Sequence, residues 1–209
     1  MSSPAQHALQ RLLPGGWVDG ARHLLSPNVD SRSEGCRPDL LVIHAISLPV
    51  GQFATGAVAS YIEDLFLNRL DNQAHPDFSQ LEGVRVSAHF LIRRDGSLLQ
   101  FVGADQRAWH AGVSQFMGRN ACNDFSIGIE MEGSDFVPFE SEQYDTLVEL
   151  THLLVQHYPI RHIVGHQDIA PTRKTDPGPF FDWTLYQELT RQRFPLVLAN
   201  ATIRDQSAG

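Results

Sequence analysis

The amino-acid sequence predicts a single α/β domain of the α+β type, in which α-helices flank a mixed central β-sheet. Strand-like and helix-like patterns alternate along the chain, and one tight turn joins two strands that must run antiparallel. No linker interrupts this pattern, and 209 residues are enough for one domain with a sizeable core. We expect a site at the strand ends, where such sheets usually carry one.

The strands are predicted from short apolar runs and from alternation of apolar and polar residues. They cover residues 39–44, 84–94, 97–102, 125–132 and 162–165. Asp95-Gly96 follows the second of these strands and predicts a hairpin turn into the third. Gly128 lies within the fourth strand, where its missing side chain permits a close approach on one face.

Helices are predicted where apolar residues recur at helical spacing, over residues 57–68, 141–157 and 183–193. Ser141 and Asp182 are expected to cap the second and third helix. Outside these patterns, residues 1–16 are predicted to form a loose leader and residues 197–209 a weakly ordered tail. The domain itself would then span residues 17–196.

The composition indicates which partners and compartments to expect. The formal net charge is −8, so a broad nucleic-acid surface, which needs clustered Lys and Arg, is not expected. The chain has no signal-peptide pattern and no apolar run of membrane-spanning length, so we expect a cytoplasmic protein that binds no membrane. The two cysteines, Cys36 and Cys122, suit a reducing compartment as free thiols.

Two polar groups suggest a metal site. His44 ends the first apolar strand, and the loop 165–179 contains His166 and Asp176 among three prolines and two glycines. Two imidazoles and one carboxylate can bind zinc and leave a fourth position open for water, as a catalytic zinc site requires. Spacing alone also fits a hydrogen-bonded core histidine and a proline-rich surface loop with solvated charges.

Glu130 is the third candidate because it lies within an apolar strand. Alternation places its side chain on the face opposite Ile129 and Met131. A carboxylate there costs free energy unless it is paired or functional, and it could serve as a general base for a metal-activated water. An exposed position on a one-sided strand explains the same pattern equally well.

Five stretches of the sequence, in order, resemble the AmpD-type N-acetylmuramoyl-L-alanine amidases that recycle peptidoglycan in the cytoplasm. They are VIHAISLPVGQF, RVSAHFLIRRDG, RAWHAGVS, CNDFSIGIEMEG and GHQDIAPTRKTDPGP. These amidases belong to the amidase_2 family, which includes phage lysozymes and is similar to peptidoglycan recognition proteins. The resemblance runs from about Gly16 to Tyr186 and implies that residues 17–196 form an amidase_2-like catalytic domain.

The resemblance implies a role for the three candidate metal ligands, for Glu130 and for Lys174. One zinc ion would be held by His44, His166 and Asp176. Glu130 matches the catalytic carboxylate, and Lys174 matches the residue that stabilises the oxyanion. The implied reaction is hydrolysis of the bond between the lactyl group of 1,6-anhydro-N-acetylmuramic acid and L-alanine. The substrate would be a small muropeptide, and we expect a monomeric enzyme.

Substrate contacts are also implied by the resemblance. Arg85 matches a substrate-binding arginine, and Trp109 and His110 match residues that line the cleft. The chain departs from the family at Ala45, where members often have Asn or Tyr, and at Gln167, where they often have Cys. A binding module without activity and a lytic amidase for intact cell wall are the alternative functions.

Overall fold

The computed structural model describes residues 9, 11–53 and 60–204. Its strands are β1 (Leu12–Leu13), β2 (Trp17–Val18), β3 (Arg22–His23), β4 (Val29–Ser31), β5 (Leu40–Ile46), β6 (Phe90–Ile92), β7 (Leu98–Gln100), β8 (Gln106–Ala108), β9 (Gln115–Phe116), β10 (Arg119–Asn120), β11 (Ser126–Glu132), β12 (His162–Gly165) and β13 (Thr202–Ile203). Its α-helices are α1 (Tyr61–Phe66), α2 (Ser141–His157), α3 (His166–Ile169), α4 (Trp183–Arg193) and α5 (Pro195–Asn200). Short 3-10 helices cover Pro76–Leu81 and Cys122–Asp124.

Seven strands form one sheet in the order β13-β12-β5-β11-β6-β7-β3. The hairpin pair β6 and β7 is antiparallel, as the Asp95-Gly96 turn predicts, and the other neighbours are parallel. The register of β11 sets Glu130 beside His44 on one side and Leu91 on the other. In-register neighbours point to the same face of a sheet, so these three side chains share a face.

Helices cover both faces of the sheet. On one face, Ile43 of β5 and Ile129 of β11 join the largest apolar cluster, together with residues of α2 and α4. On the other face, Leu91 packs with Ile62 and Phe66 of α1. This arrangement confirms the predicted single domain with a mixed sheet flanked by helices. None of the helices in the described residues combines the length and the apolar character of a bilayer span.

The predicted helices 141–157 and 183–193 are confirmed as α2 and α4. Asp182 caps α4, because its Oδ1 accepts a hydrogen bond of 2.8 Å from the backbone N–H of Leu185. The N-cap of α2 is Glu140 and not Ser141, which is the first residue of the helix. The backbone N–H of Glu140 donates to the side-chain oxygen of Gln143 at 3.1 Å. In the predicted helix 57–68, residues 57–59 lie outside the described residues, and α1 begins after its cap, Ser60.

The strand predicted over residues 84–94 is too long, since β6 is confined to Phe90–Ile92. Around Ser87 the chain bonds to loops. Ser87 donates its backbone N–H to the Trp109 carbonyl at 3.2 Å and its hydroxyl to the Asn28 carbonyl at 2.6 Å. Residues 84–88 therefore form a loop, in which Ser87 and Ala88 are both buried.

The expectation of a weakly ordered tail is wrong for residues 197–204. They continue α5 and form β13, which pairs with β12, and Val197 and Ile203 are buried. Tertiary pairing orders this segment, and local sequence carries little sign of it. Within the predicted leader, β1 pairs with β2. Residues 1–8, 10 and 205–209 lie outside the described residues, so the domain limits at 17 and 196 remain a prediction.

Candidate active site

The predicted metal ligands meet at the ends of β5 and β12. The Nδ1 atoms of His44 and His166 are 3.0 Å apart, and the Oδ2 atom of Asp176 lies 3.1 Å from the first and 3.0 Å from the second. Ligands about 2.0–2.1 Å from a tetrahedral zinc ion are separated by about 3.3 Å, so this triangle is close to the spacing that zinc requires. The three side chains form a group that could hold a metal ion.

The second ring nitrogen of His166 supports this interpretation. Nε2 lies 3.2 Å from the carbonyl oxygen of Ala111, which can only accept a hydrogen bond. With its ring proton on Nε2, where the Ala111 carbonyl accepts it, neutral His166 presents the lone pair of Nδ1 towards Asp176 and His44. A backbone carbonyl in this position is the usual outer partner of a metal-binding histidine.

Burial and hydrogen bonding shift the pKa values of two members of the group. Burial lowers the pKa of His44 to about 4, although the neighbouring Asp176 carboxylate acts in the opposite direction. Burial alone would raise the pKa of Asp176, but the adjacent imidazoles of His166 and His44 outweigh it and hold that pKa well below its usual range. At neutral pH the site thus offers a neutral imidazole and a carboxylate, the forms that bind a metal ion.

The loop that carries His166 and Asp176 folds back on itself, as their ten-residue separation requires. The backbone N–H of Gln167 donates to the carbonyl of Asp176 at 2.9 Å and closes the loop. Arg173 ties it to the neighbouring segment through hydrogen bonds of 2.7 and 2.9 Å to the carbonyls of Ala111 and Val113. These bonds fix the distance between the two ligands.

Glu130 lies on the ligand face of β11 and is only 8% exposed, so it is not a solvent-facing strand residue. Its Oε2 atom is buried and has no hydrogen-bond partner among the described residues. Burial raises the pKa of Glu130 well above its usual range; the charge of Asp176 adds to this shift and that of Lys174 opposes it. A buried carboxylate with an unused oxygen and a raised pKa is suited to accept a proton.

A cleft of about 240 Å³ connects these groups. Lys174 is half-buried and lines it together with the metal group and Glu130. The structure thus brings seven of the eight residues singled out in the sequence to one cleft: His44, Trp109, His110, Glu130, His166, Lys174 and Asp176.

Comparison with known proteins identifies the family. The family model described as N-acetylmuramoyl-L-alanine amidase, Amidase_2, matches residues 34–179, a range that includes all of these residues. The chain belongs to this family. Membership confirms the expectation that the protein is an amidase.

Individual amidases give the same result. The chain is 51% identical to the 1,6-anhydro-N-acetylmuramyl-L-alanine amidase AmpD of Escherichia coli strain K12, over 85% of this chain and 96% of the relative. A crystal structure of a selenomethionine derivative of AmpD aligns with a TM-score of 0.79 at 48% identity, covering 85% of this chain and 98% of the other. A complex of the amidase AmiD from Escherichia coli with the substrate anhydro-N-acetylmuramic acid-L-Ala-D-gamma-Glu-L-Lys aligns at 0.53 and 29% identity, covering 75% of this chain and 60% of that one.

Trp109 lines the cleft, whereas Arg85 does not. The indole Nε1 of Trp109 donates to Asp30 at 2.7 Å, which fixes the orientation of its half-buried ring. Arg85 is exposed, and its guanidinium contacts the carbonyl of Val84 at 3.4 Å. Val84 and Val86, on either side, line the cleft, and Arg85 does not. A substrate contact by Arg85 therefore stays a prediction.

The apolar wall of the cleft was not predicted from the sequence. The wall is formed by Leu65, Phe66, Leu81, Val84 and Val86. Leu65 and Phe66 have the spacing of a core-facing helix, and periodicity alone does not separate a core position from a cleft position. Of the two departures from the family, Ala45 lines the cleft, whereas the Gln167 side-chain oxygen accepts from Arg204 at 2.8 and 3.0 Å, outside it.

Proposed function

We propose that this protein is a zinc-dependent amidase that hydrolyses the bond between the lactyl group of 1,6-anhydro-N-acetylmuramic acid and L-alanine in muropeptides. The observation that carries the proposal is the convergence of Nδ1 of His44, Nδ1 of His166 and Oδ2 of Asp176 beside a buried carboxylate with an unpartnered oxygen. The substrate bond is taken from AmpD, whose name specifies it, at 51% identity.

The donor set fits one zinc ion. Two neutral imidazoles and one carboxylate are a common catalytic zinc set, and they leave room for water and substrate. When bound there, zinc supplies Lewis acidity, which polarises a carbonyl and acidifies water. The protein would supply the fixed geometry of the ligands through the closed loop and the Ala111 carbonyl.

Glu130 would act as general base and then as general acid. It takes a proton from the attacking water as the new C–O bond forms at the lactyl carbonyl carbon. It returns that proton to the L-alanine nitrogen as the C–N bond breaks, so that the products are a carboxylic acid and a free amine. The raised pKa of the Glu130 carboxyl places it nearer to neutral pH, where both transfers are efficient.

Lys174 and Trp109 would bind the reacting bond and the sugar. The ammonium of Lys174 lines the cleft with Glu130 and would stabilise negative charge on the tetrahedral oxygen, a contribution of about 3 kcal/mol for one such donor. The fixed ring of Trp109 would offer an apolar face to the sugar. Arg85, next to the cleft wall, would bind a peptide carboxylate of the substrate through its planar guanidinium.

The test is hydrolysis of purified 1,6-anhydromuropeptide by zinc-loaded wild type and by the Glu130→Ala variant. We expect release of free stem peptide by the wild type and a loss of about 10²–10⁴-fold in the variant with zinc still bound. Near wild-type activity of zinc-loaded Glu130→Ala would remove Glu130 from this role. A wild type that binds zinc and releases no peptide would favour the binding-only alternative.

The cytoplasmic recycling role is proposed from the same likeness to AmpD. Comparing turnover on anhydromuropeptide with turnover on intact sacculi separates recycling from wall lysis. We expect preference for the small anhydromuropeptide, and faster turnover of sacculi would indicate a lytic amidase. The expected monomeric state is checked by light scattering.

A further inference from the structure

His110 has both ring nitrogens bound inside the protein. It is 9% exposed, and the Oδ1 atom of Asn123 accepts hydrogen bonds from the backbone N–H groups of His110 and Ala111 at 3.1 and 2.8 Å. Its Nε2 lies 3.1 Å from Oγ of Ser126, and its Nδ1 lies 2.9 Å from Nε2 of His44. A substrate could therefore meet only the carbon edge of this ring.

The directions of these hydrogen bonds follow from counting protons. Oγ of Ser126 lies 2.6 Å from the carbonyl oxygen of Cys122, which can only accept, so the single hydroxyl proton is used there. Oγ must then accept from Nε2–H of His110. A neutral imidazole carries one ring proton, so Nδ1 of His110 has a lone pair and accepts from Nε2–H of His44.

This chain of hydrogen bonds determines which nitrogen of His44 can bind a metal ion. With its proton on Nε2, His44 directs the lone pair of Nδ1 towards Nδ1 of His166 and Oδ2 of Asp176. The opposite tautomer would place an N–H group in the middle of the metal group. Its proton would occupy the position that the metal ion needs.

Strand β11 is built to hold His110 in place. Ser126, Gly128 and Glu130 alternate along one face of the strand, and the ring of His110 lies over Gly128. A Cβ atom at position 128 would collide with that ring and would lie 2.6 Å from its Nδ1. One face of β11 thus provides a hydrogen-bond acceptor, the space for a ring, and the catalytic carboxylate.

We propose that His110 is a positioning residue which, held by Ser126, keeps His44 in the tautomer that binds zinc through Nδ1. The inference rests on the proposed zinc site and adds a function for residues that do not touch the metal ion. It also gives Gly128 a role, because a side chain at that position would displace the ring of His110.

The test compares zinc affinity and His44 tautomer in His110→Leu and His110→Asn. Asn can place an oxygen near the position of Nδ1 and accept from His44, whereas Leu has a similar size and no acceptor. Affinity is measured by competition with a chromogenic chelator, and the tautomer by long-range ¹⁵N–¹H correlation spectra of the zinc-free protein. We expect Leu to weaken zinc binding by about 10–100-fold and to populate the Nδ1–H tautomer, and Asn to recover most of both.

Two further variants separate positioning from general destabilisation. Ser126→Ala removes the acceptor for Nε2–H of His110 with little change in volume, and it should also weaken zinc binding. Thr151→Val removes a buried hydrogen bond between α2 and α4, 2.6 Å long, and should lower Tm without changing zinc affinity.

Unchanged zinc affinity in His110→Leu, or an Asn variant as weak as the Leu variant, overturns the inference. If His110→Leu does not fold, wild-type zinc affinity in Ser126→Ala overturns it. Wild-type protein that binds no zinc would overturn the proposed function as well, so the two failures are distinguishable.

Discussion

Glu130, the proposed general base, should lower the stability of the fold. Its Oε2 atom is buried without a hydrogen-bond partner in the part of the chain that the structure describes. Leaving a buried polar group unsatisfied costs about 1–3 kcal/mol. Glu130→Met replaces the carboxyl with an apolar side chain of similar length and removes that cost. Since 1 kcal/mol shifts the Tm of a domain of this size by about 2–4 °C, the variant should melt about 2–12 °C higher.

The gain should depend on pH in a defined direction. Burial raises the pKa of Glu130 in the folded state, whereas the unfolded chain titrates near the ordinary value. Between these two pKa values the folded state retains a proton that the unfolded state has lost, so wild-type stability falls as pH rises through this window. The Tm advantage of Glu130→Met should therefore grow as pH rises above the ordinary pKa of a glutamate.

The assay is thermal unfolding of chelator-treated protein from about pH 5 to about pH 8, because a bound cation would act against the rise in the Glu130 pKa. Glu188→Met, on the exposed side of α4, is the matched control and should show no such pH-dependent gain. A Glu130→Met variant no more stable than wild type at pH 8, or with a gain independent of pH, would refute the reasoning. The zinc-loaded variant should also lose at least about 10²-fold in activity.

Four other outcomes are expected. Lys174→Met should lower kcat/KM by about 10²–10³-fold at unchanged zinc content, since one oxyanion donor is lost; full activity would exclude that role. Free zinc at 1,000 times its Kd stabilises the folded protein by about 4 kcal/mol, so its removal by a chelator should lower Tm by about 8–16 °C. An unchanged Tm would argue against a tight zinc site. Gly128→Ala should displace His110 and weaken zinc binding in chelator competition, and wild-type affinity would contradict the packing argument. Asp182→Ala should cost about 1 kcal/mol and lower Tm by about 2–4 °C with unchanged peptide release, because it removes only the cap of α4; lost activity would contradict this.

Much of the fold could be predicted because its elements have strong local patterns. The limits of α2, α4 and β12 agree with the sequence prediction, and so does the hairpin of β6 and β7. Prediction was wrong where order depends on distant partners. β13 exists because it pairs with β12, and residues 84–88 leave the sheet because Ser87 bonds to loops.

The sequence predicted which residues form the candidate site, but it did not predict how they are arranged in space. His44 and His166 are 122 positions apart, and the spacing of the chain alone made their meeting only one of several alternatives. The resemblance to the amidases named the ligand set, and the parallel pairing of β5 with β11 and β12 explains how it assembles. The apolar wall contributed by Leu65 and Phe66 was not predicted, because a cleft wall and a core have the same periodicity.

The sequence by itself determined the types of the secondary-structure elements, the family and the identity of the candidate ligands. Periodicity, turn residues and the residues of a motif are all local properties of the chain. Only the tertiary structure decided that Glu130 is buried with an unused oxygen, that Arg85 lies outside the cleft wall, and that the ring of His110 lies over Gly128. These facts depend on which strands are neighbours in the sheet and on which donors and acceptors form hydrogen bonds. Both are set by contacts between segments far apart in the chain.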